Sequence, residues 1–230
     1  MEDLKKYITE ITQKTELSKI GNQEKCNEHM IKLLSEMVQE RSNYKRNFEI
    51  IDGLNDTYLQ IFMYLNRNKD LLSIKNHVSI QPWSLDKGLL MIGNFGRGKT
   101  LILDAIYSRR DVFKITGRYA TSFEVSQYFV QDLEKFNALT SGASCLFLDE
   151  IGDEPKETLN YGNSENTTYR AMKLFFDKIE KQKNKVKFFG TSNLGKDEII
   201  KRYDERIWSR IVGNCNIIVF GMNIKDFRKS

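Results

Sequence analysis

Eight consecutive residues, GNFGRGKT at Gly93 to Thr100, have the types and spacing to hold a polyphosphate. They follow the apolar run Leu89, Leu90, Met91, Ile92 and precede Leu101, Ile102, Ala105 and Ile106, which recur at helical spacing. The segment therefore reads as strand, glycine-rich turn and helix. Such a turn points successive backbone N–H groups, together with a helix N-terminus, at a bound anion. Gly93 and Gly98 permit the backbone angles and the close approach of phosphate. Lys99 is placed to reach the β- and γ-phosphates, and the Thr100 hydroxyl to ligate the Mg²⁺ that accompanies ATP. The candidate ATP-binding set is Gly93, Asn94, Phe95, Gly96, Arg97, Gly98, Lys99, Thr100 and Leu101.

The second group is SCLFLDE at Ser144 to Glu150, an apolar run that ends in two acids fifty residues beyond Lys99. Asp149 at the carboxyl end of a strand would join Thr100 in the Mg²⁺ shell, and Glu150 would orient or deprotonate an attacking water. A third apolar run, from Val186 to Gly190, leads into Thr191, Ser192 and Asn193. Asn193 would then sit at the sheet edge where α/β proteins bind ligands, able to hold the lytic water. In RYDERIWSRI, Arg206 and Arg210 are four residues apart on one helical face. Such a pair is either solvated surface charge or projects into a neighbouring subunit's site to stabilise charge on the γ-phosphate. The second alternative implies a homo-oligomer.

The elements that must position these groups alternate: strand 88–92, helix 99–109, strand 112–117, helix 122–136, strand 144–149, helix 165–182, strand 186–191, helix 197–207 and strand 215–220. This order implies a parallel sheet covered by helices on both faces. Thr121 and Glu124 form a capping-box pair for the second helix. Residues 1–70 differ, with three helical stripes: Leu4, Tyr7, Ile8, Ile11; then Met30, Leu33, Leu34, Met37, Val38; then Tyr58, Leu59, Phe62, Leu65. These pack on the main domain or are kept for a partner protein. Residues 71–87 read as a linker and 88–230 as the ATPase domain.

At 230 residues and a net charge of +5, the chain fits one principal core, with nucleic-acid contact allowed but not required. Cys26, Cys145 and Cys215 are widely separated and have only His29 and His77 as companions, which argues against a zinc site or a disulfide framework. Without an apolar leader or a membrane-length apolar stretch, a cytoplasmic location is expected.

Over residues 85–229 the chain resembles the AAA+ ATPases of the DnaC type, helicase loaders related to transposition ATPases of the IstB type. The residues that carry the resemblance are GNFGRGKT, LFLDEIGDEP with NYGN at Asn160 to Asn163, Tyr203 to Ile211, and CNIIVFG with Lys225 to Arg228. It implies Asn193 as a first sensor, Arg206 as a trans-acting finger beside Arg210, and Arg228 as a second sensor on the nucleotide. Asp204, where the family has glycine, could pair with a finger arginine, which leaves Arg206 and Arg210 both open. It also implies a reduced or absent helical lid, since only ten residues follow Phe220. The implied partners are a hexameric replicative helicase of the DnaB type, gripped by the N-terminal helices, and single-stranded DNA. Tyr128, Phe129, Lys135 and Phe136 supply an aromatic and basic mix suited to that DNA. The competing readings are an IstB-type transposition helper acting on duplex DNA and a nucleotide-gated scaffold with little hydrolysis.

Overall fold

The computed structural model describes residues 55–75, 78–111, 113–160, 163–182 and 185–220. In chain order the elements are α1 (Asn55–Leu65), β1 (Gly88–Gly93), α2 (Lys99–Ser108), β2 (Gly117–Thr121), α3 (Ser122–Gln131), α4 (Leu133–Asn137) and β3 (Cys145–Ile151). There follow the hairpin β4 (Thr158–Asn160) and β5 (Asn163–Glu165), then α5 (Thr167–Lys181), β6 (Lys187–Ser192), α6 (Lys196–Arg202), α7 (Glu205–Asn214) and β7 (Cys215–Phe220). Five strands pair in parallel in the order β2-β3-β6-β1-β7. The chain is thus an α/β protein of the expected class.

Burial on both faces explains the nearly unbroken apolar strands. Side chains alternate along a strand. Accordingly Leu89, Met91, Phe147, Phe189 and Ile218 pack with α1 and α2 on one face. Leu90, Leu146, Leu148, Phe188 and Ile217 pack with residues of α3, α5, α6 and α7 on the other. Phe147 and Phe189 are register partners and stack at 4.7 Å with 7° between their planes. Such a pair adds about 0.5–1.5 kcal/mol beyond burial, and it fastens β3 to β6 two residues before the first acid.

The stripe Tyr58, Phe62 and Leu65 packs into the core of the sheet, with Ile61 and Leu71 beside it. Trp83 is also buried, its indole N–H donating to Gln60 Oε1 at 2.9 Å. Segment 78–87 is therefore tied to the sheet, with Ser79 bridging Ile218. The stripes beginning at Leu4 and Met30 lie outside the described residues.

Three expected elements differ in position. Strand 112–117 is replaced by β2 at Gly117–Thr121. Phe113 and Ile115 instead pack from a turn against the α1–α2 core. As an edge strand with a single neighbour, β2 needs no continuous apolar run, so its composition hides it. Helix 122–136 is interrupted at Asp132, whose side chain accepts from Lys135 N and starts α4. Helix 197–207 is two helices, because Asp204 turns the chain and caps α7 by accepting from Ile207 N at 2.7 Å. An aspartate N-cap is worth about 1 kcal/mol, enough to favour a new helix over continuation of the old one. The Thr121–Glu124 capping box is present as expected. Among the described residues no helix is long and apolar enough to cross a membrane.

Candidate functional site

The loop after β1 turns on glycines at positive φ: Gly93 at 134°, Gly96 at 73° and Gly98 at 79°. At Gly93 a Cβ would stand 2.3 Å from the Phe220 carbonyl oxygen, so the loop can lie against β7 only without a side chain there. Gly98 begins α2 and offers no side-chain cap, whereas α3, α5 and α7 are capped by Thr121, Asn166 and Asp204. The leading N–H groups of α2 therefore face the loop, where an anion would satisfy them. Lys99 is buried, and its ammonium donates to the carbonyls of Gly93 at 2.7 Å and Asn94 at 2.8 Å and to Asn193 Oδ1 at 2.9 Å. Phe95 is exposed, Arg97 is half-buried, and Leu101 packs against the α1–α2 core.

Asp149 lies at the neighbouring strand end and is fully buried. A buried carboxylate needs donors, and three hydroxyls supply them. Thr100 Oγ1 donates to Oδ1 at 3.2 Å, Thr191 Oγ1 donates to the same oxygen, and Tyr119 OH donates to Oδ2 at 2.7 Å. Burial first, and then the charge of Asp149, push the Tyr119 phenol up, so it stays a donor. A primary set of alcohol and carboxylate oxygens suits Mg²⁺, which favours hard oxygen ligands. Thr100 and Asp149 fit that ion.

Glu150 occupies a bulge. Leu148 pairs with Gly190 and Ile151 with Ser192, so β3 carries one residue more than β6 across this interval. Glu150 takes the extra place with φ at 56°. The bulge shifts side-chain parity, since Leu146, Leu148 and then Ile151 all line the α3–α7 face. Its backbone is pinned on both sides, the N–H donating to Thr191 Oγ1 at 3.0 Å and the carbonyl accepting from Ser122 Oγ at 2.6 Å. The side chain is half-exposed.

Lys99, Thr100, Asp149, Glu150 and Asn193 thus converge at the carboxyl ends of three adjacent strands, β1, β3 and β6. Arg206 and Arg210 belong to α7, and their surroundings differ. Arg210 is engaged within its own chain by Asp177 at 2.6 Å and Glu180 at 3.5 Å, both on α5. Arg206 is exposed and forms no ion pair among the described residues. Asp204 pairs with neither arginine among the described contacts, accepting instead from Ile207 N and from Tyr169 OH at 3.0 Å. Arg228 lies outside the described residues.

The expected DNA-stacking group is corrected in part. Phe129 and Phe136 are buried against each other, ring centroids 5.2 Å apart, and are core residues. Tyr128 is half-buried beneath Lys135, which pairs with Asp132. Tyr119, Ser122 and Thr191, which bond to Asp149 or Glu150, were not among the residues expected at the candidate site. Tyr119 was hidden because strand β2 is five residues later than its expected start. Ser122 and Thr191 carry no signal beyond neighbouring a cap and a strand end. Cys145 and Cys215 are core thiols, which burial pushes up.

Residues 89–214 match the sequence profile of the ATPase family associated with various cellular activities (AAA). No curated protein sequence matches the chain significantly. AMPPCP-bound DnaA from Aquifex aeolicus is similar at 17% identity and a TM-score of 0.51, over 79% of this chain and 50% of that one. The replication initiator DnaA bound to AMPPCP and single-stranded DNA is similar at 16% identity and a TM-score of 0.52, over 76% and 48%. A DnaI structure aligns over 84% of this chain and 93% of its own, at 17% identity and a TM-score of 0.49. At these identities the likeness to the DnaA structures is one of fold. The chain spans about half the length of the DnaA structures it matches.

Proposed function

The chain belongs to the ATPase family associated with various cellular activities, and on that premise we propose that it is an ATP-hydrolysing helicase loader. In this reading it binds ATP with Mg²⁺, assembles with copies of itself, and delivers a hexameric replicative helicase onto single-stranded DNA. The observation that carries the ATPase half is the convergence of Lys99, Thr100, Asp149, Glu150 and Asn193 at one sheet edge. Lys99 would exchange its carbonyl partners for the β- and γ-phosphates, with the loop amides and the uncapped α2 N-terminus around them. Thr100 and Asp149 would hold Mg²⁺, which when bound neutralises charge on the β- and γ-phosphates. Glu150 would take a proton from the attacking water, and Asn193 would orient that water. Phosphoryl transfer to water yields ADP and phosphate, and Arg206 of an adjoining subunit would stabilise the charge that develops. Arg206 suits this role better than Arg210, which Asp177 and Glu180 already hold. A site completed by a neighbour turns over slowly when isolated.

The loader half is supported by the motif resemblance over residues 85–229, which extends past the phosphate loop to the arginine box. The test is native mass spectrometry of the full chain mixed with a hexameric replicative helicase, with and without ATP. A discrete complex, lost on deletion of residues 1–54, is expected, since that deletion leaves α1 in the core. Failure to associate in either condition would remove the loader reading and direct the next mixture to a transposase and duplex DNA.

A further inference from the structure

Glu154 stands four residues past Glu150 with its side chain fully buried. Burying a carboxylate is costly unless its oxygens meet donors. Here Oε2 accepts from Gly152 N at 3.0 Å, and Oε1 accepts from Arg202 Nε at 3.0 Å and from Tyr203 OH at 2.7 Å. Arg202 also donates to the Glu154 backbone carbonyl. Burial, and after it the charge of Glu154, push the Tyr203 phenol up, which keeps it a donor.

This carboxylate joins two parts of the fold. On one side is the turn after Glu150, closed by Asp153 N donating to Glu150 O at 3.0 Å. Gly152 sits there at φ 107°, with Leu194 occupying the space of a Cβ at 2.5 Å. On the other side is the corner between two helices, where Tyr203 ends α6 and Asp204, held by Tyr169, starts α7. Arg206 lies in the first turn of α7. Glu154 is therefore bonded both to the turn that follows Glu150 and to the corner from which the helix bearing Arg206 begins.

We propose that Glu154 is a positioning residue for hydrolysis between subunits, coupling the Glu150 turn to the α6–α7 corner so that Arg206 points into the neighbouring subunit's site. The proposal rests on the reading of Arg206 as acting in trans. Its signature is that a Glu154 defect impairs a subunit as donor of the arginine and leaves its own nucleotide site competent. A merely structural role would impair both.

The experiment measures steady-state ATP hydrolysis by full-length variants, alone and in equal mixtures. Glu154→Gln alone is expected to lower kcat about tenfold with KM for ATP within about twofold of wild type. Tyr203→Phe removes one donor and leaves the Arg202 pair, so it shows the same pattern more weakly and carries the test if Glu154→Gln does not fold. Glu150→Gln supplies subunits with a silent site and an intact Arg206 corner. Mixing it with Glu154→Gln should restore turnover, as mixing it with Arg206→Ala should. Restoration of the Arg206→Ala mixture but not of the Glu154→Gln and Tyr203→Phe mixtures would overturn the coupling. Wild-type kcat in both Glu154→Gln and Tyr203→Phe would do the same. If the Arg206→Ala mixture itself stays inactive while wild type turns over, the trans reading fails and takes the coupling with it.

Discussion

Replacing Thr191 by valine tests the geometry of the acidic pair more directly than replacing either acid. The change is nearly isosteric at a buried position, exchanging a hydroxyl for a methyl group. It deletes a donor to Asp149 Oδ1 and the acceptor of the Glu150 N–H at 3.0 Å. A buried N–H left unpaired costs about 1–3 kcal/mol, and a hydrogen bond to a charged group is worth about 1.5–3 kcal/mol. Asp149 retains Tyr119 and Thr100, so the lower parts of both ranges apply and the expected loss is about 3 kcal/mol. For a chain of this length, about 2–4 °C is lost per kcal/mol, giving a Tm decrease of about 6–12 °C by circular dichroism. Turnover should fall as well. Glu150 at φ 56° is held in a conformation that costs a non-glycine residue about 1 kcal/mol or more, and releasing its N–H lets the bulge relax. Nucleotide affinity should be unchanged, since Lys99 and the loop are untouched. Thr191→Ser keeps the hydroxyl and should recover most of both properties. A Thr191→Val protein melting within about 1 °C of wild type, with wild-type kcat, would refute the role given to the Thr191 hydroxyl in holding Asp149 and Glu150.

Lys99→Ala should abolish ATP binding by isothermal titration calorimetry, whereas Glu150→Gln should bind normally and fail to turn over; normal binding by the first or full activity of the second would remove that residue from its role. Arg206→Ala should stop assembled hydrolysis with little change in Tm, while Arg210→Ala, which breaks partly exposed pairs to Asp177 and Glu180, should cost only about 0–1 kcal/mol of stability and retain turnover. The reverse assignment would show as a turnover loss confined to Arg210→Ala. Lys187 is pushed down to about 8, chiefly by burial and then by Arg67. Its folded value lies below the unfolded one, so the unfolded chain binds more protons between about pH 8 and 10.5 and stability rises with pH there, by at most about 1.4 kcal/mol per pH unit. Denaturant unfolding of wild type against Lys187→Met across that window should show this slope only in wild type; equal slopes would contradict it.

The sequence by itself determined the class of fold, and it named the residues of the candidate site. The strand, glycine turn and helix of the candidate phosphate loop were legible because the glycines answer to local backbone angles within eight residues. Fully buried strands were legible because burial on both faces demands unbroken apolar runs. Edge strand β2 escaped because one neighbour leaves its sequence almost unconstrained, and the breaks at Asp132 and Asp204 escaped because capping competes with helix continuation only through a local side-chain bond. What tertiary structure decided is long-range. Three strand ends distant in sequence bring Lys99 to Asn193 and Thr100 to Asp149, and a bulge whose existence depends on β6 turns Glu150 away from strand geometry. Phe129 and Phe136 became core rather than surface, and Arg210 was tied to α5 while Arg206 was left exposed. Those outcomes depend on which surfaces meet, a property of the packed chain that no single segment encodes.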